Sequence, residues 1–407
     1  MGNEVVKVKG DLEVIKEIQA VGGDTLKKCY QCATCSAICP LSTEEIAFPR
    51  KQMILAQWGL KERLLNDPSV WLCHQCGDCS KYCPRDAKPG DVLGALRLLV
   101  IKEAVPFKFL HTFYNNFWGL PILILIALTY ILLITFVTFG GVPNFLDPKS
   151  FPYGGPDYHF LIFHFPARVL MIDIVFLSLS AFVVIILLSA IARMWNAYLD
   201  TCKIPQAYRY GWCTILSKYF IPAIKEILSH TRFKKCEANH WRANPHLLLV
   251  IAFILLAITT VIVFVMADIF GFETPWNPLL HPVKWIGNIG GILLLYSIIK
   301  IIAGRNKAEL EKSLKTSYAD SFLIYLILIV GLTGFGIVIV RHIPGLNSLV
   351  SFVYLSHLVA VFILFLGVAY SKFAHIVFRT VAVVFDLYLQ DVCAKMKALE
   401  EKKVEAG

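Results

Sequence analysis

At 407 residues, 57% of them hydrophobic and 17% charged, with a mean hydropathy of +0.63, the chain is too apolar for an ordinary soluble fold and is read as a protein of several membrane spans. Its net charge of +10 does not point to nucleic acid, because excess Lys and Arg in a membrane protein belong to cytoplasmic loops facing anionic lipid. Residues 1–116 are mixed and charged, whereas nearly all long apolar runs follow Trp118, which puts a boundary near 105–117, at "VPFKFLHTFYNN". The opening "MGNEVVKVKGDLEVIKE" has no apolar core of signal-peptide length, so the N-terminus is expected in the cytoplasm.

Two blocks dominate the first part: "CYQCATCSAICP" from Cys29 and "CHQCGDCSKYCP" from Cys73. Each has the spacing C-x2-C-x2-C-x3-C-P, the bacterial ferredoxin pattern for two [4Fe–4S] clusters. Three close thiolates wrap one cube while the fourth, ahead of proline, reaches the other. Cys29, Cys32, Cys35 and Cys83 are therefore expected on the first cluster, and Cys73, Cys76, Cys79 and Cys39 on the second. Zinc sites usually use two separated pairs, and a cytoplasmic segment argues against disulfides. The linker between the blocks, including "EEIAFPRKQMILAQWGLKERLLNDPSVWL", has apolar residues at helical spacing before an Asn66-Asp67-Pro68 break. A helical insert there suggests an all-helical two-cluster ferredoxin. Cys202, Cys213, Cys236 and Cys393 are isolated and are read as buried or idle thiols.

Six runs are long enough to cross a hydrocarbon core of about 30 Å: roughly 118–139, 167–193, 247–268, 284–303, 321–341 and 351–378. The intended outside loops hold only Lys149 among Lys and Arg, whereas the inside loop 194–245 holds eight and the loop 304–320 four. This positive-inside pattern places both termini and the cysteine blocks in the cytoplasm, in a multi-pass protein of the cytoplasmic membrane. Within the large inside loop, "TILSKYFIPAIKEILSH" (214–230) reads as an interfacial helix or a docking face.

Ligating residues inside spans are expensive and so are functional candidates. His357 and His375 fall on the last predicted span, eighteen residues apart. On one helix that is five turns on the same face and about 27 Å along the axis, a spacing that suits one haem b near each leaflet. His246, opening the third span, matches the depth of His375 and is its expected partner on the inner haem. For the outer haem, His357 pairs with His164, with Arg168 one turn deeper to meet a propionate; His342, beside Arg341, is the alternative. His159 and His281 read as loop residues, and His111, His230 and His240 as interfacial or solvent-facing. Asp173, deep in the second span, either serves quinol deprotonation or hydrogen-bonds a neighbour. Gly331, Gly334 and Gly336 read as close-packing positions.

The expected fold is thus all-α. A two-cluster ferredoxin domain covers 1–105, a linker 106–117, a six-helix transmembrane cytochrome b bundle 118–380 and a cytoplasmic tail 381–407. The first 105 residues, with "CYQCATCSAICP", resemble the two-cluster C subunit of heterodisulfide reductases. The part from about 160 onward is similar to the b-type cytochrome subunits of respiratory nitrate reductase and membrane-bound heterodisulfide reductase, in which a final helix carries two histidines eighteen residues apart. The two parts fused in one chain resemble the QmoC family, membrane subunits of the quinone-interacting membrane-bound oxidoreductase of sulfate reducers. The resemblance implies a quinone-linked oxidoreductase component that oxidises menaquinol and passes electrons through haem b to the clusters. Its implied partners are flavin/iron–sulfur, heterodisulfide reductase A-like proteins (QmoA and QmoB), and indirectly adenylylsulfate reductase in dissimilatory sulfate reduction. One departure stands out: ten residues after His246, where the nitrate reductase cytochrome has a second histidine, this chain has Leu256. Competing readings are a heterodisulfide-reductase-like complex with a disulfide acceptor, and a membrane sensor or transporter with a regulatory iron–sulfur domain.

Overall fold

A computed structural model describes residues 9–42, 47–139, 166–230, 234, 237, 240–270, 272, 281–311, 315–340, 343 and 347–405. All regular structure among them is helical. In the N-terminal region, α1 (Leu12–Ala20) starts where the Asp11 carboxylate accepts the Glu13 N–H at 2.9 Å, a side-chain cap for an otherwise orphaned donor. The short helices α2 (Thr34–Ile38) and α6 (Asp78–Lys81) follow the cysteine loops, with α3 (Arg50–Gln57), α4 (Lys61–Leu65) and α5 (Ser69–Leu72) between them. The helical insert expected between the two blocks is therefore present. Around the buried side chains of Ile18, Leu26, Met53, Leu64 and Trp71, these elements pack on α7 (Pro89–Ala104). That helix opens with proline at its first position, where the missing N–H costs nothing, and it is buried almost all round because membrane helices cover its other side.

Beyond α7, α8 (Lys108–Tyr114) and α9 (Gly119–Phe139) meet at a bend of 118°. Next come α10 (Pro166–Thr201), the connecting helices α11 (Trp212–Ile215) and α12 (Ile221–Ser229) joined by a π turn at Leu216–Phe220, and α13 (Ala243–Phe264). The chain continues through α14 (Pro282–Leu310), α15 (Tyr318–Val340), α16 (Asn347–Tyr370) and α17 (His375–Glu405). Among the described residues five helices are long and apolar enough to cross a membrane, or six when the bent α8–α9 pair counts as one span; six spans were expected. Trp212, Leu216, Ile221 and Leu228 leave an apolar face of the 212–229 segment exposed, consistent with an interfacial helix.

The expectation that His357 and His375 share one helix is corrected. The last span ends at Tyr370, and His375 is the first residue of the next helix. Ser371 adopts extended backbone, its hydroxyl donates to the Gly367 carbonyl at 2.7 Å and accepts the Phe373 N–H at 3.1 Å, and a 3₁₀ turn (Lys372–Ala374) follows. The local hydroxyl bonds compete with the helical ladder and stop it. The five-turn, same-face argument therefore does not hold across this break. His357 lies thirteen residues before the end of α16, about 20 Å along its axis.

Candidate functional site

The two cysteine loops are built alike. Gln31 and Ala33 in the first, and Gln75 and Gly77 in the second, occupy the left-handed region at φ 62°, 70°, 52° and 91°. Such residues curl the backbone into a concave turn whose N–H groups face a common centre, an arrangement suited to anionic sulfur. Each loop then feeds a short helix whose second residue is the third cysteine, Cys35 or Cys79. Electrostatics sorts the thiols into two sets. Burial, then the nearby Cys29, Cys32 and Cys83, pushes Cys35 up to about 11. Burial, with Cys73 and Cys76 adding to it, pushes Cys39 up to about 12. Burial, then Cys73, Cys76 and Cys39 and, least of all, Cys35 of the other set, raise Cys79 well above its ordinary value. The chain thus brings Cys83 to the first block and Cys39 to the second. Cys39, Cys73, Cys76 and Cys79 also line one small cavity. Crowded, buried thiols are costly to ionise unless cations join them, which iron would supply. Among the described residues no three Cys, His, Asp or Glu side chains converge on a position for a single metal ion.

The sets differ in surroundings. The first opens to solvent: Cys32 is exposed, and Tyr30, 69% exposed, lies under the Arg85 guanidinium at 4.2 Å. The second faces the membrane helices, and three arginines clasp its backbone. Arg97 on α7 donates to the Val70 and Cys73 carbonyls, both at 3.3 Å. Arg242, just before α13, donates to the Gln75 carbonyl at 2.8 Å. Arg379 on α17 donates to the Trp71 carbonyl at 3.1 Å and the Cys73 carbonyl at 2.6 Å, with the His74 ring at 3.2 Å. Trp71 also meets Phe378 edge-on, centroids 5.3 Å apart.

Directly behind this block lies a mostly apolar cavity of about 380 Å³, within the usual range for a cofactor pocket. Into it come His246, from the first turn of α13, and His375, opening α17, with ring centroids 6.2 Å apart. Two imidazoles ligating one ion from opposite sides, each nitrogen about 2 Å from it, also put their centroids about 6 Å apart.

Hydrogen bonding fixes the tautomers. His375 Nδ1 lies 2.8 Å from the Lys372 carbonyl, which can only accept, so Nδ1 carries the proton and Nε2 the lone pair. His230 Nδ1 lies 3.2 Å from the Leu228 carbonyl and so carries its proton. Burial disfavours the charged form of His230. In the neutral ring with the proton on Nδ1, Nε2 accepts from His246 Nδ1 at 2.9 Å, which puts the lone pair of His246 on Nε2. The same logic holds at His357. The Thr333 hydroxyl spends its proton on the Ile329 carbonyl at 2.7 Å, so it accepts from His357 Nδ1 at 2.9 Å.

The charged lining of the cavity is mainly cationic: Arg97, Arg242, Arg305, Lys372 and Arg379 outnumber Asp320 and Glu226. Asp320 forms an ion pair with Arg305 at 3.3 Å and a close one with Lys372. Arg305 is 6% exposed, yet its Nε has no acceptor among the described residues. An orphaned buried guanidinium N–H is expensive, and a carboxylate-bearing ligand in the cavity would satisfy it. A tetrapyrrole with two propionates fits both the paired imidazoles and this charge.

Comparison with known proteins bears on the two halves separately. A profile described as citrate utilization protein B matches residues 172–392, more than half of the chain. The chain belongs to the citrate utilization protein B family. The region matching that family contains α12, α13 and three of the four histidines that line the cavity, His230, His246 and His375; His74 lies outside it. A 4Fe-4S dicluster domain matches residues 25–87, a span that holds all eight cysteines of the two blocks. Over 95 residues the chain is 37% identical to the C subunit of the H(2):CoB-CoM heterodisulfide,ferredoxin reductase of Methanothermobacter thermautotrophicus and of Methanothermobacter marburgensis, covering 23% of this chain and 51% of theirs. It is 39% identical over 92 residues to a protein of Archaeoglobus profundus described as like the heterodisulfide reductase C subunit, 22% of this chain and 47% of that one. The chain spans about half the length of the curated relatives it matches. No solved structure matches it.

In the citrate utilization protein B region, the expected pair His246 and His375 is brought together. His164 and His342, the two candidate outer partners, lie outside the described residues, as do His159 and Cys236; Arg168 lies in α10 with its side chain likewise outside them. His240 is exposed. His111 and His230, expected at an interface or in solvent, are instead buried, at 5% and 8% exposure. The segment 212–230 lines the cavity with Ile224, Ile227 and Leu228, which carries His230 in, and α8 turns His111 inward. Gly331, Gly334 and Gly336 do sit against neighbouring side chains, Gly334 against His357 itself. The site residues that the sequence did not single out are His74, Arg97, Arg242, Arg305, Asp320, Lys372 and Arg379, with His230 read only as interfacial. Arg379, four residues after His375, and Arg242, four before His246, stood near a predicted ligand.

Proposed function

We propose that this chain is a membrane electron-transfer subunit that carries electrons between menaquinol and cytoplasmic flavin/iron–sulfur partners. The reading rests chiefly on one observation. The cavity holding His246 and His375 adjoins the second cysteine set, and Arg379, on the same helix as His375, bonds to the Cys73 carbonyl at 2.6 Å. When bound, haem b and two [4Fe–4S] clusters would supply one-electron centres that divide the two-electron oxidation of a quinol. His246 and His375 would hold the inner haem through Nε2, and Arg305 and Lys372 would meet its carboxylates. Cys29, Cys32, Cys35 and Cys83 would hold the first cluster, and Cys73, Cys76, Cys79 and Cys39 the second. His357, prepared by Thr333, would serve an outer haem, with His164 or His342 opposite. Thr333 on α15 and His357 on α16 would set the depth of that site.

The soluble pole at Cys32 and Tyr30 is where a partner would receive electrons. Following the family resemblance, these partners are proteins of the QmoA and QmoB type, feeding adenylylsulfate reductase. A second reading, with a heterodisulfide as the eventual acceptor, is favoured by the heterodisulfide reductase relatives and shares the same membrane half. The test is haem analysis of the purified chain and of its His246→Ala and His375→Ala variants. Expected is b-type haem in the parent, loss of the inner haem in both variants, and intact clusters. A cluster-loaded parent without haem would refute the proposal.

A further inference from the structure

We infer that His230 is a positioning residue for the inner haem site, setting the tautomer and donor strength of His246. The inference rests on the haem reading above, and it adds a residue that neither the cysteine pattern nor the histidine spacing indicates.

Three observations carry it. First, the ring chain is directional: the Leu228 carbonyl accepts from His230 Nδ1 at 3.2 Å, so His230 Nε2 can only accept from His246 Nδ1 at 2.9 Å. An imidazole that donates Nδ1–H to a good acceptor is a stronger base at Nε2, the usual way a ligand histidine is oriented and tuned. His375 uses a backbone carbonyl for this purpose, the Lys372 oxygen; His246 uses a side chain instead. Second, His230 occupies the left-handed region at φ 53°, immediately after α12. Glycine or asparagine fills that helix-ending position at least cost, so a histidine there bears a conformational penalty. Third, the ring is buried, 8% exposed, at the cavity wall rather than in solvent. A side chain that only ended the helix would need neither the burial nor the imidazole contact.

The consequence is a link between the cytoplasmic segment and the redox site. α12 is tied to α17 through its neighbouring turn, where Lys218 and Tyr219 hold Asp391 at 2.9 and 2.6 Å. The segment that supplies His230 is thereby anchored to the helix that supplies His375. Both prospective ligands are thus referenced to α17, one directly and one through His230.

The test uses the full-length chain in detergent with its clusters loaded, and compares the parent with His230→Ala and His230→Gln. Haem content, the midpoint potential by anaerobic titration, and the low-temperature EPR of the oxidised haem are read. Losing an outer-sphere partner of a ligand typically costs tenfold or more in metal stabilisation. With the oxidised state losing more, His230→Ala is expected to retain haem with a midpoint about 59 mV higher, one factor of ten for a one-electron couple. The Gln side chain, whose amide oxygen can accept from Nδ1–H, should restore part of the shift. Haem retained in His230→Ala with an unchanged midpoint and EPR signal would overturn the inference. So would loss of haem from both variants with clusters intact, since that outcome makes His230 itself a ligand. If only the Ala variant loses haem and Gln restores it with a shifted midpoint, the positioning role stands. Absence of haem from the parent would instead refute the underlying haem reading.

Discussion

Arg379 ties the helix that opens with His375 to the second cysteine block, and replacing it makes a quantitative prediction. In Arg379→Met the apolar stem is kept while the guanidinium, with its bonds to the Trp71 and Cys73 carbonyls and its contact with His74, is removed. Hydrogen bonds from a charged donor contribute about 1.5–3 kcal/mol each. Two carbonyl bonds therefore give about 3–6 kcal/mol, and the desolvation relieved by removing a half-buried cation brings the net to about 3 kcal/mol. The loss falls on the docking of residues 69–76 against α17, to which the edge-on contact of Trp71 with Phe378 also contributes. In local opening terms, about 3 kcal/mol is on the order of a hundredfold. Amide exchange measured by mass spectrometry should accelerate by that factor in peptides covering 69–76, and the EPR signal of the second cluster should broaden. Peptides covering Cys29 and Cys32 should exchange at the parental rate. Exchange within threefold of the parent across 69–76 would refute the reasoning. Arg379→Lys should fall between, because an ammonium cannot span both carbonyls as a planar fork does.

Other consequences follow from particular contacts. A Cβ at Gly334 would stand 3.2 Å from His357 Cε1, so Gly334→Val should displace the ring, cost about 1–3 kcal/mol and alter only an outer haem signal; an unchanged optical and EPR spectrum would count against that site. Arg305→Met should lower haem retention at the inner site by tenfold or more while leaving both cluster signals unchanged; full retention after detergent washing would count against the carboxylate contact. Asp91 on α7 is lifted to about 6 because burial disfavours its charged form. Its contribution to stability is therefore fully present below its ordinary value near 4 and is lost as pH rises through about 6, at most about 3 kcal/mol. Thermal unfolding followed from about pH 4 to about pH 6.5 should show this falling slope in the parent and a flatter profile in Asp91→Asn; equal slopes would contradict it.

The parts of the site that were legible in the sequence are those encoded locally. Eight cysteines at fixed short spacing determine their own sorting, because a C-x2-C-x2-C loop can curl around only one centre and the fourth thiol is carried away by the turn at proline. Apolar runs and their flanking charges likewise mark the spans, since hydropathy and length are properties of a segment alone. The approach of His246 to His375 was legible because each stands at the same end of its apolar run. The continuity of the last span was misread because one serine hydroxyl, bonding to Gly367 and Phe373, breaks a helix that composition alone would continue. His230 and Arg305 were illegible for a different reason: their importance comes from contacts with residues far along the chain, and nothing in their own neighbourhoods distinguishes them from ordinary interfacial side chains. Arg379 stood one turn from a predicted ligand, yet its partners lie about three hundred residues earlier.

The most direct test of the central claim is an anaerobic optical and EPR titration of the purified, cluster-loaded chain with a menaquinol analogue. The account predicts reduction of b-type haem together with the signals of two [4Fe–4S] clusters, and loss of the inner haem's share of that response in His375→Ala. Two clusters that stay oxidised in the presence of the quinol, or a His375→Ala variant with full haem and full quinol-driven cluster reduction, would contradict it.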